Sequence, residues 1–392
     1  MKNKRGIALI AGALAMSMTA AACGSSTKSG SAATTVAGGT ATTVAGGTAT
    51  TTATATTAAP TATTTAPKPA ADLKATLNAS GSTFAKALYD ETIAAFTAKN
   101  KGVTINYGGG GSGKGRQDLA DQLTDWAGSD SPIADADKAK FKGGDVLYFP
   151  IAVAPITLSY NLDGVDKLQL SPETVAKIFL AQIKTWDAPE IAADNPGVKL
   201  PSTPVVAAVR SDSSGTTDNF TKFVDRSAGA TGVWTLKSGS KVEWPTGVQA
   251  AEGNGGVAKL VKDNKGGIGY VDLSDAKAAG LKFASIKNAA GKYIAPDLAG
   301  SSAAVDGVTV NADLTFSAPW AKGDASYPVT AQTWLLVYKK QTDKAKGEAT
   351  KAFVSYLLTD GQATLKDINY GALPKSLVDK AIAQLAMIEI PA

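Results

Sequence analysis

The sequence contains no histidine among its 392 residues. Histidine is the side chain that most often moves protons near neutral pH, and its ring nitrogens are common metal ligands. Its absence excludes Ser-His-Asp and Cys-His catalytic arrangements and every histidine-based metal site. The chain also has a single cysteine, Cys23, so no disulfide can form within it. We therefore expect neither a hydrolase of these two kinds nor a resident metal or cofactor.

An excess of charge of one sign is also lacking once the N-terminal stretch is set aside. The whole sequence has 39 Lys and Arg residues against 34 Asp and Glu residues. Residues 1–71 contain five of the basic residues and none of the acidic ones, which leaves 34 of each sign in residues 72–392. Nucleic-acid-binding domains usually carry a basic excess. The balance therefore argues against a nucleic-acid partner.

The N-terminus has the pattern of an export signal. Basic residues at positions 2, 4 and 5 precede an apolar stretch over 7–16 that is shorter than a usual membrane span. Small residues then lead to Cys23, which resembles a bacterial lipoprotein box, although Ala20 stands where Leu is usual. We predict a lipoprotein signal peptide over 1–23 and a lipid anchor such as palmitate on Cys23, on the outer face of the cell membrane. The alternative is a plain secretory peptide with an incidental cysteine.

Residues 24–71 are of low complexity. The octapeptide Thr-Thr-Val-Ala-Gly-Gly-Thr-Ala occurs at 34–41 and again at 42–49, and Thr, Ala and Pro dominate residues 50–71. Such a segment buries too little apolar surface to offset the entropy lost on folding. We predict a disordered tether, of a composition typical of O-glycosylated stalks, that holds a folded region away from a membrane.

Apolar, strand-like runs alternate with helix-like periodicity from residue 73 onward. This alternation is typical of an α/β fold, and the length suggests about two domains. Strands are expected over 73–78, 103–107, 149–161, 205–209, 266–271 and 327–338, and helices over 85–98, 116–123, 217–224, 344–358 and 374–385. The run over 149–161 is long enough to pass between two domains.

Three strand-to-helix turns share one design. They cover 80–84, 108–115 and 210–216, and each combines glycine with serine or threonine. The first turn of a helix offers unpaired N–H groups and a partial positive charge, which favour an anion. In a chain without histidine, three such turns indicate anion binding without catalysis. For 210–216 alone, the alternative is an ordinary serine-capped helix with a surface Asp/Arg pair.

The glycine run over 108–115 does not fit the known nucleotide-binding or nucleophile motifs. Gly113 and Lys114 complete G-x-x-x-x-G-K, but Gly115 follows where a phosphate-binding loop has the Ser or Thr that ligates Mg²⁺. A dinucleotide-binding turn would need an acidic residue about twenty positions on, at the end of a second strand, but the segment there ends in Ser-Asp-Ser-Pro, which is typical of a turn. Gly110 lies two positions before Ser112, but Lys114 and not Gly lies two positions after it, so the G-x-S-x-G pattern of a nucleophile elbow is incomplete.

These turns and several other motifs occur in the order found in one family. The motifs are Ser80-Gly81-Ser82-Thr83-Phe84, Tyr107 with the Gly/Ser run, Gly128-Ser129-Asp130-Ser131-Pro132, Lys184-Thr185-Trp186-Asp187, Arg210-x-Asp212-x-Ser214-Gly215-Thr216, Trp244-Pro245-x-Gly247, Gly267-Ile268-Gly269-Tyr270-Val271 and Leu373-Pro374. From about residue 73 to 378 the chain resembles the phosphate-binding proteins of high-affinity phosphate ABC transporters, the PstS family.

The resemblance implies a fold and a function. The fold is an α/β, two-domain periplasmic-binding-protein clamshell of type II, in which each domain has a mixed, mostly parallel sheet flanked by helices. Domain I would be 72–157 plus 329–392, and domain II would be 158–328, with the ligand between them. The function is capture of inorganic phosphate by a monomer and its delivery to the permease subunits of an ABC transporter.

The resemblance also assigns roles to residues. The implied phosphate contacts are Thr83, Phe84, Ser112, Asp130, Arg210, Ser214, Gly215 and Thr216. Asp212 is implied to orient Arg210. Two departures from the family pattern matter: Gly113 replaces a second serine, which removes a hydroxyl but leaves a peptide N–H, and the segment 253–256 lacks an acidic residue and receives no ligand role.

A carboxylate in an anion site is explained by the ligand's own proton. Phosphate near neutral pH keeps at least one P–OH group, and Asp130 can accept a hydrogen bond from it. Sulfate has no such proton, so one of its oxygens would face an ionised carboxylate. We expect sulfate to bind roughly 10⁴-fold more weakly. The alternative is that Asp130 only caps the turn before Pro132.

Two other classes of function fit the sequence less well than phosphate binding. An enzyme acting on phosphoesters would need a metal site or a nucleophile with its base, and the sequence shows no pattern for either. A surface adhesin on the same fold would need no internal anion site, so the presence of Arg210, Asp130 and Ser214 argues against it.

Overall fold

The structure, a computed structural model, describes residues 73–392. The predicted signal peptide, the anchor at Cys23 and the predicted tether lie outside the described residues. None of the helices within 73–392 has both the length and the apolar character that crossing a bilayer requires.

The strands of the described region form one large sheet and one small one. They are β1 Ala75–Gly81, β2 Val103–Gly110, β3 Trp126–Ser129, β4 Val146–Asn161, β5 Gln169–Leu170, β6 Val206–Arg210, β7 Gln249–Ala251, β8 Gly267–Asp272, β9 Lys282–Phe283, β10 Ser285–Lys287, β11 Tyr293–Ile294 and β12 Thr330–Tyr338. The large sheet has the order β2-β1-β3-β12-β4-β8-β6-β7, with β9 also paired to β4, and the small sheet has the order β11-β10-β5.

Helices connect most of these strands. They are α1 Lys86–Lys99, α2 Gly111–Ala120, α3 Pro172–Phe179, α4 Pro189–Asp194, α5 Gly215–Arg226, α6 Gly253–Asp263, α7 Leu273–Ala278, α8 Leu298–Val305, α9 Lys344–Leu358, α10 Asp360–Thr364 and α11 Lys375–Gln384. Ser171 caps α3 by accepting a hydrogen bond from the Thr174 N–H, as expected for Ser-Pro at a helix start.

The bounds predicted for the helix after the glycine run were wrong. The expectation was 116–123, but α2 spans Gly111–Ala120. Gly110 and Gly111 have φ angles of 99° and 86°, which side chains rarely adopt, so the chain turns from strand to helix within two residues. The run therefore supplies the end of β2 and the first turn of α2, and Ser112 lies inside the helix.

The long strand β4 joins the two halves of the large sheet. Its first part, as far as Pro155, pairs antiparallel with β12, and its second part, from Ile156 onward, pairs antiparallel with β8. Fourteen of its 16 residues are buried. Strands covered on both faces read as continuous apolar runs, which is why this one was visible in the sequence. The predicted domain boundaries near 157 and 329 stay a prediction.

The large sheet curls so that distant strand ends meet. In the sheet order, β1 and β7 are separated by five strands. Nevertheless the N–H of Asn254, just after β7, donates to Thr83 Oγ1, just after β1, at 3.3 Å. The parallel pairs β1–β2, β1–β3, β6–β7 and β6–β8 therefore direct their carboxyl ends towards one place. Ligands of α/β proteins commonly bind at such strand ends.

Candidate functional site

Three of the predicted site residues meet where α2, β3 and α5 converge. Ser112 Oγ donates to Asp130 Oδ2 at 3.1 Å and accepts from the Asp130 N–H at 3.1 Å. Gly215 lies against both, because a Cβ placed there would lie 2.4 Å from Ser112 Oγ and 2.6 Å from Asp130 Oδ2. Ser112 and Asp130 are both buried. The structure thus brings together residues that are about 20 and 100 positions apart in the sequence.

Arg210 and Asp212 form a buried, bidentate ion pair. Arg210 Nε donates to Asp212 Oδ1 at 2.7 Å, and Nη2 donates to Oδ2. The Arg210 side chain is 1% exposed and that of Asp212 is 12% exposed. Burial alone would raise the pKa of Asp212, but the hydrogen bond and charge of Arg210 outweigh it and hold the pKa below its ordinary value. The pair fixes the guanidinium plane, as the predicted orienting role of Asp212 requires.

Ser214 and Thr216 lie at the start of α5, as predicted. Ser214 Oγ accepts from the Thr217 N–H at 3.1 Å and so caps the helix. Thr216 Oγ1 accepts from Arg210 Nη1 at 3.4 Å. Both residues are fully buried. The alternative for this segment was an ordinary serine-capped helix with an Asp/Arg pair on the surface. The cap and the pair are both present, but the pair lies in the interior and not on the surface.

Gly113 has a structural reason to lack a side chain. Its N–H donates to the Ser213 carbonyl at 2.9 Å. The peptide N–H that was expected to remain after the loss of the serine hydroxyl is therefore engaged within the protein. A Cβ at this position would lie 2.1 Å from Ser213 Oγ. The second serine of the family pattern would therefore clash with the 210–216 turn, and Ser112 is the hydroxyl that α2 contributes.

Asp130 is held rigidly by neighbours on several elements. Ser82 Oγ donates to its Oδ1 at 2.6 Å, and its carbonyl accepts from Asn219 Nδ2 at 2.7 Å and Gln332 Nε2 at 3.2 Å. Burial raises the pKa of Asp130, although hydrogen bonds from hydroxyls such as Ser82 and the charge of Arg210 partly oppose the shift. Sequence reasoning named Ser82 only as part of a turn and missed its contact with this carboxylate.

The side chain of Phe84 packs in the core, and the donor role of its backbone N–H stays a prediction. Its ring is fully buried and lies edge-on to Tyr370, with the ring centres 6.1 Å apart. Its carbonyl accepts a hydrogen bond from the Tyr370 hydroxyl at 2.6 Å. This contact fixes the Phe84–Ala85 peptide, which is next to the peptide that carries the Phe84 N–H.

Asn254 is the site residue that sequence reasoning missed. It is fully buried, and its Nδ2 donates to Thr83 Oγ1 at 3.2 Å and to Thr216 Oγ1 at 3.0 Å. The segment 253–256 had been given no ligand role. A signal was present, because a short strand followed by glycine and a polar residue opens α6, which is the design of the other three turns. The strand, β7, has only three residues and no buried position, so it was not recognised.

A pair of carboxyl groups lies behind Asn254. Asp272 is 1% exposed, and its Oδ1 accepts from the Asp275 N–H at 3.0 Å, which caps α7. Its Oδ2 has no hydrogen-bond partner among the described residues. Burial and the neighbouring Asp275 charge raise the pKa of Asp272 well above its ordinary value. Folding therefore shifts the Asp272 carboxyl towards its protonated form.

Asp272→Asn is expected to stabilise the protein at neutral pH. A raised pKa in the folded state contributes stability below the unfolded pKa, and that contribution is lost as pH rises through the folded pKa. Asparagine keeps the capping oxygen and does not ionise, so the variant should gain at least about 1 kcal/mol at pH 7.5. Urea unfolding in phosphate-free buffer at pH 4 and 7.5 measures this gain. An equal difference between variant and wild type at both pH values would contradict it.

Comparisons with known proteins show which family the chain belongs to. A family model described as a PBP superfamily domain matches residues 25–361. Phosphate-binding protein PstS 3 of Mycobacterium leprae is 34% identical over 315 residues, which is 77% of this chain and 84% of that protein. Phosphate-binding protein PstS of Xylella fastidiosa (strain 9a5c) is 32% identical over 320 residues, which is 79% of this chain and 85% of that protein.

Solved structures of similar shape support the fold. A high-affinity periplasmic phosphate-binding protein (PfluDING), solved with phosphate bound, superposes with a TM-score of 0.66 at 22% identity over 79% of this chain and 94% of its own. A putative phosphate ABC transporter substrate-binding protein from Clostridium perfringens gives 0.57 at 18% identity over 76% of this chain and 100% of its own. The predicted fold class, a periplasmic-binding-protein fold, is confirmed. From the family match and the two sequence relatives, the chain belongs to the PstS family of phosphate-binding proteins.

Proposed function

We propose that this protein binds one inorganic phosphate with high affinity and delivers it to the permease of a phosphate ABC transporter. The observation that carries the proposal is the buried cluster in which Ser112 and Gly215 contact a fixed acceptor, Asp130, close enough to Arg210 to feel its charge. A cation and hydroxyl donors suit an anion, and a carboxylate among them suits an anion that still carries a proton. The names and bound ligand of the relatives support the same ligand.

The proposed contacts combine one cation with several neutral hydrogen-bond donors and one acceptor. Arg210 supplies the single cation and Asp212 orients it, while Asp130 accepts the P–OH proton. The remaining proposed donors are the hydroxyls of Thr83, Ser112, Ser214 and Thr216 and the backbone N–H groups of Phe84 and Gly215. Ser112, whose one proton is donated to Asp130 in this structure, would turn that proton to the phosphate. Helix N-termini add partial positive charge without a titratable group, so phosphate is bound mainly by neutral donors.

We propose that two lobes close on the ion. Residues 72–157 plus 329–392 would form one lobe and 158–328 the other, with β4 passing between them. Thr83, Ser112 and Asp130 then come from the first lobe, and Arg210 and the start of α5 come from the second. Because the ion contacts both, binding and closure are linked. If the radius of gyration, measured by small-angle X-ray scattering, did not decrease when phosphate is added, the closure would be contradicted.

The placement of the protein in the cell is part of the proposal. A lipid on Cys23 would hold the monomeric protein on the outer face of the membrane, and residues 24–71 would let it reach the permease. Mass spectrometry of the N-terminal peptide tests the anchor, since an unmodified Cys23 thiol would contradict it.

Two assays separate binding from catalysis. Equilibrium dialysis is expected to give one phosphate per chain, recovered unchanged. A phosphomonoesterase assay with added Mg²⁺ or Zn²⁺ is expected to give no turnover. Turnover at ordinary enzymatic rates would contradict the proposal and favour the phosphoester-acting enzyme.

A further inference from the structure

Asn254 links the two sides of the candidate site through a single amide group. Its Nδ2 donates to Thr83 Oγ1 at 3.2 Å and to Thr216 Oγ1 at 3.0 Å, and its backbone N–H donates to Thr83 Oγ1 at 3.3 Å. The two threonines follow β1 and β6, which lie in opposite halves of the large sheet. The side chain of Asn254 is fully buried, so water does not compete for these bonds.

The orientation of this amide is determined by a third contact. Asn254 Oδ1 accepts from the Asp272 N–H at 3.3 Å. If the amide were rotated by 180°, its NH₂ group would face the Asp272 N–H, which is also a donor. The contact with Asp272 therefore directs both amide protons towards the threonine hydroxyls.

The Asn254 amide in turn determines whether each threonine hydroxyl acts as a donor or as an acceptor towards a further group. A hydroxyl has one proton to donate and two lone pairs that accept. Thr83 Oγ1 accepts twice from Asn254, and Thr216 Oγ1 accepts from Asn254 Nδ2 and from Arg210 Nη1 at 3.4 Å. With its lone pairs engaged, each hydroxyl keeps its proton for a further acceptor.

We propose that Asn254 is a positioning residue for the ligand: it occupies the lone pairs of Thr83 and Thr216 so that both hydroxyls donate to the bound phosphate. The inference rests on the proposed function. Donors aimed before the anion arrives need no reorganisation when it binds, which raises affinity. Because the two threonines belong to different halves of the sheet, the same amide also favours their approach.

The test is Asn254→Asp, measured by phosphate titration calorimetry from pH 5 to 8 with wild type at each pH. At pH 8 a carboxylate accepts from both hydroxyls and turns their protons away from the ligand, so Kd should rise at least about 100-fold, a loss of about 2.7 kcal/mol. The charged and titratable groups around the position are Arg210, Asp212, Asp272 and Asp275. As pH falls and the new carboxyl gains a proton it becomes a donor again, so the Kd ratio of variant to wild type should shrink.

The controls separate positioning from folding. Asn264→Asp changes an asparagine at the end of the same helix, where Nδ2 donates to the Leu260 carbonyl at 2.7 Å, and its Kd should stay within twofold of wild type. Asn254→Ala, a second variant should Asn254→Asp fail to fold, frees both hydroxyls to rotate and should raise Kd about tenfold without a pH trend in the ratio.

The outcomes distinguish a failure of the role of Asn254 from a failure of the proposed phosphate binding. A Kd ratio for Asn254→Asp that does not change with pH, or wild-type affinity in Asn254→Ala, would overturn the role of Asn254. Failure of the wild-type protein to bind phosphate would overturn the proposed function instead.

Discussion

Asp130→Asn is expected to bring the Kd for sulfate to within about tenfold of the Kd for phosphate, from a preference of roughly 10⁴-fold in the wild type. In the wild type a sulfate oxygen faces an ionised carboxylate with no proton between the two. The asparagine amide offers an N–H group there, which suits sulfate, and the size of the side chain hardly changes. Phosphate should lose some affinity because its P–OH group loses its strongest acceptor.

The carboxylate of Asp130 is held in place by its neighbours. It is 1% exposed, and hydroxyls hold both of its carboxylate oxygens, from Ser82 at 2.6 Å and from Ser112 at 3.1 Å. Since burial raises its pKa, the wild-type carboxyl gains a proton at a higher pH than an ordinary aspartate. Sulfate binding by the wild type should therefore strengthen as pH falls, and that trend should be absent from Asp130→Asn.

Competition titrations with both anions measure this prediction. Asp118→Asn is the matched control, because Asp118 also accepts from a serine hydroxyl, Ser80 Oγ at 2.5 Å, but is not among the proposed contacts. The control should keep the wild-type preference. If Asp130→Asn kept it as well, the assignment of selectivity to this carboxylate would be wrong.

Gly215→Ala is expected to weaken phosphate binding by about 10- to 100-fold while the protein stays folded. A Cβ here would lie 2.4 Å from Ser112 Oγ and 2.6 Å from Asp130 Cβ, two groups on the other side of the proposed cleft. Overpacking of this kind costs about 1–3 kcal/mol. Within α5 itself alanine is the better helix former, by about 1 kcal/mol. The substitution should therefore hinder the approach of the two sides and not the folding of either.

The matched control for this prediction is Gly255→Ala. Gly255 also lies in the first turn of a helix near the site, but a Cβ there meets no atom within 4 Å. Its phosphate Kd should equal that of the wild type and its melting temperature should not fall. Wild-type affinity in Gly215→Ala would show that these elements are not in contact when phosphate is bound.

The architecture could be predicted where the sequence carries long apolar runs. Strands β4 and β12 are buried on both faces, so they read as continuous apolar segments, and helix α1 was placed within one residue of its bounds. The start of α2 could not be predicted, because it depends on the left-handed φ angles of Gly110 and Gly111. Glycine permits those angles but does not require them.

The predicted site residues lie in local motifs, whereas the missed contacts form only when distant segments meet in the fold. Arg210 and Asp212 are two positions apart, so their pairing is a local property that the motif records. The contact of Asn254 with Thr83, 171 residues away in the sequence, arises only because the sheet curls. Its contact with Thr216, 38 residues away, depends on the pairing of β6 with β7. The engaged N–H of Gly113 is a tertiary contact of the same kind. A single sequence shows which donor groups are present, but not which acceptors in the folded protein they bind.

Titration calorimetry of the purified protein with phosphate and with sulfate, in matched buffers at pH 7.5, tests the central claim most directly. The account predicts one phosphate per chain and sulfate binding weaker by roughly 10⁴-fold. Equal affinities for the two anions would contradict it, because an acceptor carboxylate fixed inside the site could not then be in contact with the ligand.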